Sequence, residues 1–289
     1  MFSIERRRQQ FDTYVLSDRA SNSKLEIVPD RGGIITSWQV QGRELLYMDT
    51  ARFADPTLSV RGGIPILFPI CGNLPNNAYS YKGQSYNLKQ HGFARDLPWE
   101  VMEQNTEAEL SFTIGLSSTP QTREHYPFDF RLVFTYRLQG QTLLIEQQIS
   151  NLSDEPMPFS IGFHPYFLAP EKHQLRFDIP ANDALDQRTQ AHHPFFNTFD
   201  FAQDEIDWAF LQISRQVSNV ADLSRHTRIT LTAADEFPLL VFWTLKGKDF
   251  YCLEPWSAPR NALNTGDRLL SVEPGATMNT TISLSIEFS

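Results

Sequence analysis

The chain has 289 residues, of which 41% are hydrophobic, and carries a formal net charge of -9 with a pI near 5.3. A chain of this length and hydrophobic content can bury a large core, and for an all-β architecture of this length we expect a single domain over residues 1–289. The acidic balance argues against a nucleic-acid surface, which needs concentrated Lys and Arg to neutralise phosphates.

Charged and polar residues occupy the place where a signal peptide would have its apolar stretch, since residues 5–10 read Glu-Arg-Arg-Arg-Gln-Gln. The three arginines are the only basic run, and such a short run near a terminus is usually solvated. Apolar runs elsewhere, such as residues 238–243, are too short to cross a bilayer. We therefore expect a cytoplasmic protein with no nucleic-acid or membrane partner. Cys71 and Cys252 match neither a disulfide scaffold nor a zinc-ligand spacing.

Alternation of apolar and polar residues, the pattern of a strand with one buried face, dominates the chain. Turn residues at 30–33, 139–141 and 246–248 separate the strands, and no long amphipathic helical pattern intervenes. Residues 183–205 have the weakest pattern and are predicted to form a long surface excursion. The fold class predicted is all-β, a large antiparallel β-sandwich. In chain order, the clearest apolar sets are Ala108, Leu110, Phe112, Ile114 and Leu116; Phe128, Phe130, Leu132, Phe134, Tyr136 and Leu138; and Ile282, Leu284, Ile286 and Phe288.

Two glycine-containing segments set ionisable side chains beside residues that folding should bury. Residues 61–69 read Arg-Gly-Gly-Ile-Pro-Ile-Leu-Phe-Pro, and residues 91–95 read His-Gly-Phe-Ala-Arg. Downstream, His164 is enclosed by apolar and aromatic residues at 161–167, and Glu254 ends a strand-like apolar run. Desolvated polar groups of this kind either find partners or do chemistry, so the pattern indicates a small-molecule site.

These segments resemble the aldose 1-epimerase (galactose mutarotase-like) family, most closely the branch related to glucose-6-phosphate 1-epimerases. The likeness continues in Gly-Phe-His-Pro-Tyr-Phe at 162–167, Asp-Trp-Ala-Phe at 207–210, Leu-Glu-Pro-Trp at 253–256 and Glu-Pro-Gly at 273–275, and so covers nearly the whole chain. The resemblance implies a supersandwich of antiparallel sheets with a sugar site in an open cleft. It also implies an isomerase that interconverts the α and β anomers of a hexose.

Anomer interconversion opens the hemiacetal ring, turns one bond and closes the ring again. A base takes the proton of the C1 hydroxyl while an acid protonates the ring oxygen, and neither step needs a metal or another cofactor. The resemblance makes Glu254 the base and His164 the acid, which we expect on opposite sides of the sugar. Burial raises a carboxyl pKa and lowers a histidine pKa, whereas a nearby carboxylate raises the latter. The structural alternatives are an exposed glutamate at a strand end and a buried histidine bonded to backbone.

Arg61, His91 and Asp207 are the predicted substrate-binding residues. Sugar hydroxyls need donors and acceptors in fixed positions, and an arginine beside glycines can approach a ligand closely. Asp207 is assigned only through the short Asp-x-x-Phe match to the family. The structural alternatives for Arg61 are a tight bend at the two following glycines and an ion pair with Asp55 or Asp96.

Aromatic and histidine residues outside this set have two predicted roles. Trp256, Tyr166 and Phe68 could stack on the apolar face of a pyranose, although most aromatic residues of the chain must be core. The remaining histidines are assigned to the surface: His125, His173, His192, His193 and His226.

The sequence also allows two other functions, a metal enzyme and a non-catalytic carbohydrate-binding protein. His91, His164 and Glu254 could form a two-histidine, one-carboxylate metal site, but none of these histidines has the strand partner that such sites usually use. A non-catalytic carbohydrate-binding protein could share the cleft, although it need not keep both Glu254 and His164. For the enzyme, we expect a neutral hexose to be turned over at least as well as its 6-phosphate. Residues 66–74, with Tyr79, Tyr81, Gly83 and Tyr86 after them, look more like the branch acting on unphosphorylated sugars. The acidic chain also offers no general attraction to an anion, although Arg61 and Arg95 are available to one.

Overall fold

The computed structural model describes residues 1–288, and most of its regular structure is strand. In chain order, the strands are β1 (Phe2–Arg8), β2 (Asp12–Asp18), β3 (Ser23–Val28), β4 (Ile34–Val40), β5 (Arg43–Glu44), β6 (Ile66–Leu67), β7 (Ala78–Tyr81), β8 (Gln84–Asn87), β9 (Glu100–Asn105), β10 (Ser111–Ser117), β11 (Phe130–Gln139), β12 (Thr142–Asn151), β13 (Met157–Phe159), β14 (Gly162–Phe163), β15 (Tyr166–Leu168), β16 (Leu175–Asp178), β17 (Asp183–Asp186), β18 (His192–Pro194), β19 (Glu205–Phe210), β20 (Val217–Asp222), β21 (Thr227–Ala233), β22 (Leu239–Leu245), β23 (Phe250–Trp256), β24 (Leu270–Val272) and β25 (Thr277–Phe288). The α-helices are α1 (Thr50–Ala54), α2 (Pro120–His125) and α3 (Ala262–Thr265), and short 3-10 helices span Pro29–Arg31, Pro75–Asn77, Ala94–Asp96 and Lys172–Gln174.

Two eight-stranded antiparallel sheets form the body of the fold. The first, here called the back sheet, has the order β16-β20-β21-β25-β12-β11-β10-β9. The second, the cleft sheet, has the order β18-β17-β19-β22-β23-β14-β6, with β15 also paired to β23. Strands β1 to β5 form a separate meander, while β13-β24 and β7-β8 are two-stranded.

Aromatic side chains join the back sheet to the cleft sheet. Phe134 of β11 packs on Phe163 of β14 with ring centroids 5.9 Å apart, and Phe177 of β16 packs edge-on against Phe242 of β22 at 5.4 Å. Such contacts bury large apolar areas, at about 25 cal/mol stabilisation per Å². The antiparallel β-sandwich predicted from the alternating pattern is confirmed.

The alternating segments fold as expected in β11 and β25, where the apolar members of each strand line the core. Ala108 is an exception, because it is exposed and β10 begins only at Ser111. The prediction for residues 183–205 is wrong in part: β17 and β18 pair with each other, and β17 joins the edge of the cleft sheet. Phe195 is buried against Phe210. Strands of three and four residues are too short to show a period in sequence.

Within residues 1–288, no helix is long and apolar enough to cross a membrane. Cys71 and Cys252 are both buried and free, in keeping with the absence of a disulfide scaffold expected from sequence.

Candidate active site

Strand β23 forms the floor of a cleft of about 580 Å³ and is buried along its whole length. Successive side chains of a strand point to opposite faces of the sheet. Tyr251 and Leu253 accordingly enter the main core, whereas Glu254 and Trp256 line the cleft. Glu254 is only 1% exposed and lies inside the strand, so the alternative of an exposed glutamate at a strand end is wrong.

Pairing of the strands beside β23 brings distant residues into one row. Asp207 of β19 is opposite Trp243 of β22, Trp243 is opposite Cys252 of β23, and Cys252 is opposite Tyr166 of β15. Glu254 lies in the adjacent row. The register of the cleft sheet therefore assembles the site from four separate stretches of the chain.

His164 lies between β14 and β15, above Glu254. Its backbone N–H donates to the carbonyl of Pro65 across 3.1 Å, and its ring stacks on Tyr166 with centroids 4.7 Å apart. Its Nε2 is 3.3 Å from Oε1 of Glu254. The two groups therefore lie together on one side of the cleft rather than on opposite sides of it, because β14 and β15, which flank His164, both pair with β23.

Burial sets the protonation of this pair. It raises the pKa of Glu254 well above the usual carboxyl range, with a contribution from Asp207, while the Trp256 indole N–H at 3.0 Å opposes the shift. Burial, followed by the charge of Arg95, lowers the pKa of His164 to about 3. At a pH between the two pKa values the pair holds one proton, and this proton is shared by Glu254 and His164.

His91 is fixed by two hydrogen bonds to Gly72. Its backbone N–H donates to the Gly72 carbonyl across 2.6 Å, and its Nδ1 accepts from the Gly72 N–H across 3.0 Å. Burial lowers the pKa of His91 well below its ordinary value, so the imidazole is neutral and carries its proton on Nε2. His91 lines the cleft, its Nδ1 is occupied by the backbone, and its Nε2 lies 3.3 Å from Nε2 of the Gln90 side chain.

Arg61 reaches the cleft from a segment pressed tightly against β4. Gly62 and Gly63 both have positive φ, and a Cβ on Gly63 would lie 2.1 Å from the carbonyl oxygen of Ile35. The bend considered from sequence is therefore real, and it carries Arg61 to within 5.8 Å of the Trp243 ring centroid. Arg61 makes no ion pair with Asp55 or Asp96 in the part of the chain that the structure describes, so that alternative is wrong: Asp55 instead accepts from Thr57, and Asp96 lies 4.0 Å from Lys89.

Asp207 is held by two partners that sequence reasoning missed. Arg260 donates through Nη2 to Oδ2 across 2.7 Å, and Gln187 donates through Nε2 to Oδ1, also across 2.7 Å. Arg260 also contacts Oδ1 of Asn73 through Nη1 at 3.2 Å. Burial raises the pKa of Asp207, and the charge of Arg260 opposes this shift. Arg260 follows the end of β23 in a segment with no periodic pattern, so no signal in the sequence marked it.

The aromatic predictions are only partly correct. Tyr166 and Trp256 line the cleft, but Phe68 is fully buried in the core, 5.1 Å from the Phe130 ring. Trp243, which sequence reasoning missed, also lines the cleft. The histidines assigned to the surface are exposed except for His193, which is half-buried and stacks on Trp208.

Arginine is the most frequent residue in the cleft lining, which contains Arg52, Arg61, Arg95, Arg188 and Arg260. Arg188 and Arg260 face the carboxylates of Glu205 and Asp207, at 3.7 and 2.7 Å. Among residues 1–288, the other three have no carboxylate within ion-pair distance. The cleft is therefore locally basic although the chain as a whole is acidic.

A family model described as aldose 1-epimerase matches residues 13–285. The chain belongs to the aldose 1-epimerase family. The resemblance seen in its sequence is thus confirmed, and the protein is an isomerase of the carbohydrate epimerase type.

Relatives of this aldose 1-epimerase family member include the chromosomal LacX protein of Lactococcus lactis subsp. lactis, 28% identical over 280 residues that cover 85% of each chain. A Cenchrus ciliaris protein provisionally named a glucose-6-phosphate 1-epimerase is 27% identical over 265 residues, covering 85% of this chain and 73% of its own. Among solved structures, Slr1438 from Synechocystis sp. PCC 6803 superposes with a TM-score of 0.95 at 49% identity, covering 98% of this chain and 99% of its own. A galactose mutarotase-like protein from Clostridium acetobutylicum shares the fold, with a TM-score of 0.83 at 18% identity over 100% and 99% of the two chains.

Proposed function

We propose that the protein interconverts the α and β anomers of a hexose, with Glu254 as general base and His164 as general acid. The observation that carries this proposal is the buried contact between His164 Nε2 and Glu254 Oε1, 3.3 Å apart on the cleft floor. The anomeric oxygen and the ring oxygen of a pyranose are bonded to the same carbon. An acid and a base this close together can therefore reach both oxygens from one side.

Ring opening removes one proton from the C1 hydroxyl and delivers one proton to the ring oxygen. Glu254 accepts the proton of the C1 hydroxyl, the bond between C1 and the ring oxygen breaks, and the ring oxygen takes a proton from His164. After rotation about the bond from C1 to C2, closure on the other face of the carbonyl reverses these transfers. The protein ends in its initial protonation state, so the pair supports both directions of the reaction.

The cycle starts from the form with Glu254 as carboxylate and His164 as imidazolium, whereas burial favours the form in which both groups are neutral. One shared proton supplies both an acid and a base, and transfer from Glu254 to His164 across their contact produces the carboxylate and the imidazolium that the reaction uses. The positive charges of Arg95 and Arg260 favour the carboxylate form of Glu254. A low-dielectric site strengthens these interactions compared with those in water.

Arg61, His91 and Asp207 would hold the sugar hydroxyls in this scheme. His91 presents Nε2, which lies 3.3 Å from the side-chain amide nitrogen of Gln90, and Arg61 offers its guanidinium. Asp207 offers acceptor oxygens oriented by Arg260 and Gln187. Fixed donors and acceptors of this kind select one sugar orientation, so that the reacting carbon stays over Glu254.

Exchange between anomers, followed by NMR or polarimetry, tests the proposal. We expect Glu254→Gln, and separately His164→Asn, to fold and to lower the exchange rate by roughly two to four orders of magnitude. His125→Asn, which changes an exposed histidine outside the cleft, is the matched control and should keep the wild-type rate. An unchanged rate in folded Glu254→Gln would refute its role as the base. Sugar binding without exchange above the buffer rate would instead support the non-catalytic carbohydrate-binding protein.

A hexose 6-phosphate is a second candidate substrate, favoured by the basic lining of the cleft. Arg52, Arg61 and Arg95 face no carboxylate partner among residues 1–288, and a phosphate dianion in a partly desolvated site needs such charge. A relative provisionally named a glucose-6-phosphate 1-epimerase adds support. The expectation of a neutral substrate relied in part on the net charge of the chain, which differs from the local charge of the cleft.

A further inference from the structure

We infer that Cys252, together with His164 and Glu254, forms a binding site for a thiophilic divalent ion such as Zn²⁺ or Cd²⁺. The ion has no part in the epimerase reaction. By occupying the acid and the base at once, it blocks that reaction.

Strand geometry brings the three side chains together. Cys252 and Glu254 are two residues apart on β23 and so project from the same face. Cys252 is paired with Tyr166, which lies two residues beyond His164. One ligand atom from each of the three residues, a sulfur, an imidazole nitrogen and a carboxylate oxygen, can be chosen so that all lie within 4.8 Å of one another.

These separations are close to those of a coordinated ion. Tetrahedral zinc, with ligand bonds of about 2.0–2.3 Å, holds its ligand atoms about 3.3–3.8 Å apart. His164 Nε2 and Glu254 Oε1 are already 3.3 Å apart. Separations of up to 4.8 Å have to shorten by at most about 1 Å, a distance that rotation of side chains can supply. Nδ1 of His164 has no hydrogen-bond partner among residues 1–288, so no such bond at Nδ1 resists a small rotation of the ring.

The donor set suits a soft ion rather than Mg²⁺ or Ca²⁺. Thiolate and imidazole are ligands for zinc-like ions, whereas hard cations take oxygen. Metal binds imidazole in its neutral form and cysteine as the thiolate. The ion therefore displaces the thiol proton of Cys252 together with the proton shared by His164 and Glu254. The resulting thiolate and carboxylate balance the two positive charges of the ion.

The surroundings make this an occasional site rather than a resident one. The charges of Arg95 and Arg260 act on both His164 and Glu254, and they disfavour a further cation. Only three protein ligands are present, and two of them, His164 and Glu254, line the cleft where the sugar would bind. A bound ion and a sugar therefore compete for the same space.

Titration of the purified, metal-free protein with Cd²⁺ tests the site without reference to activity, because a thiolate bound to Cd²⁺ gives an ultraviolet charge-transfer band. We expect wild type and Cys71→Ser to give a band that saturates at one bound Cd²⁺ per chain, and Cys252→Ser to show none. Cys71 is the matched control, since it is the other free, buried cysteine. Circular dichroism establishes that each variant is folded. The absence of the band from wild type, or its persistence in Cys252→Ser, would overturn the proposal.

The claim that the ion blocks the reaction depends on the proposed function, and it has its own measurement. We expect Zn²⁺ to slow anomer exchange in wild type and Cys71→Ser, with each rate normalised to its own metal-free value. Cys252→Ser should need at least ten-fold more Zn²⁺ for the same loss. A saturated Cd²⁺ band with undiminished exchange would refute the blocking claim. If metal-free wild type shows no exchange, the proposed function fails, and the absorbance titration still decides the metal site.

Discussion

Arg260 donates a hydrogen bond through Nη2 to Oδ2 of Asp207 across 2.7 Å, although the two residues are 53 positions apart in the chain. The pair is largely buried in the wall of the cleft, and Gln187 holds the other oxygen of Asp207. The carboxylate is therefore held in one orientation before substrate arrives. Preorganisation of this kind lowers the entropy cost of binding a ligand in one pose.

Loss of the Arg260 guanidinium should weaken substrate binding more than it slows chemistry. We expect Arg260→Met to raise KM by roughly ten-fold, equivalent to about 1.4 kcal/mol, with a smaller change in kcat. Steady-state anomer exchange over a range of sugar concentrations measures both constants. Arg215→Met, which removes an exposed arginine paired with Asp178 away from the cleft, is the control. A fall in kcat at constant KM would assign Arg260 to the chemical step instead.

Glu254 and His164 should behave as one catalytic unit. If both act in the same proton-transfer step, removing the second group costs little once the first is gone. We expect the double variant Glu254→Gln with His164→Asn to exchange anomers at nearly the rate of the slower single variant. Comparison of the four rates in a double-mutant cycle gives the coupling free energy between Glu254 and His164. Additive losses would show that the two residues contribute to separate steps.

The lowered pKa of His164 predicts a dependence of stability on pH. His164 takes up a proton near pH 3 in the folded state, whereas an unfolded histidine takes it up near pH 6.5. The contribution of the neutral His164 to the free energy of unfolding is therefore complete above pH 6.5 and is lost as pH falls toward 3. We expect wild type to lose up to about 1.4 kcal/mol more per pH unit in this window than His164→Asn. Urea unfolding at several pH values measures the difference. Parallel curves for the two proteins would contradict the buried neutral imidazole.

Exchange activity should survive exhaustive chelation, because every proposed step moves a proton between a side chain and a sugar oxygen. We expect a wild-type rate after treatment with a chelator and removal of the metal complex. A preparation contaminated with zinc should become faster on this treatment, since Cys252, His164 and Glu254 would be released. A rate abolished by chelation and restored by one equivalent of metal would favour the rival metal enzyme.

A panel of hexoses and hexose 6-phosphates should decide between the two substrate classes. The arginines of the cleft lead us to expect that the 6-phosphate binds more tightly and that its affinity falls as salt rises. Arg95→Ala should remove a ten-fold preference for the phosphate, measured as the ratio of the two kcat/KM values within each protein, because Arg95 also acts on the charges of Glu254 and His164 and its loss alters both rates. Arg176→Ala, an exposed arginine outside the cleft, serves as the control. Equal kcat/KM for the two sugars in wild type would support the neutral hexose expected from sequence.

Much of the fold was predictable because strand periodicity is a local property. Side chains two positions apart share a face of a strand, so the buried face can be read from the alternation of Phe130 to Leu138 in β11 and of Ile282 to Ile286 in β25. The segments that carry Arg61, His91 and Glu254 were also found, since glycines and apolar neighbours beside an ionisable residue are visible along the chain. The short strands β17 and β18 were missed because three or four residues contain too few alternations.

The sequence alone therefore determined the sandwich class, the family resemblance and the residues proposed for the site. Tertiary structure decided how those residues meet: His164 and Glu254 on one side of the cleft, Asp207 under Arg260, and Cys252 beside the acid–base pair. It also made the cleft basic in an acidic chain. Strand register and burial are the physical reason, because pairing between distant strands sets which side chains are neighbours, and desolvation sets which of them are charged.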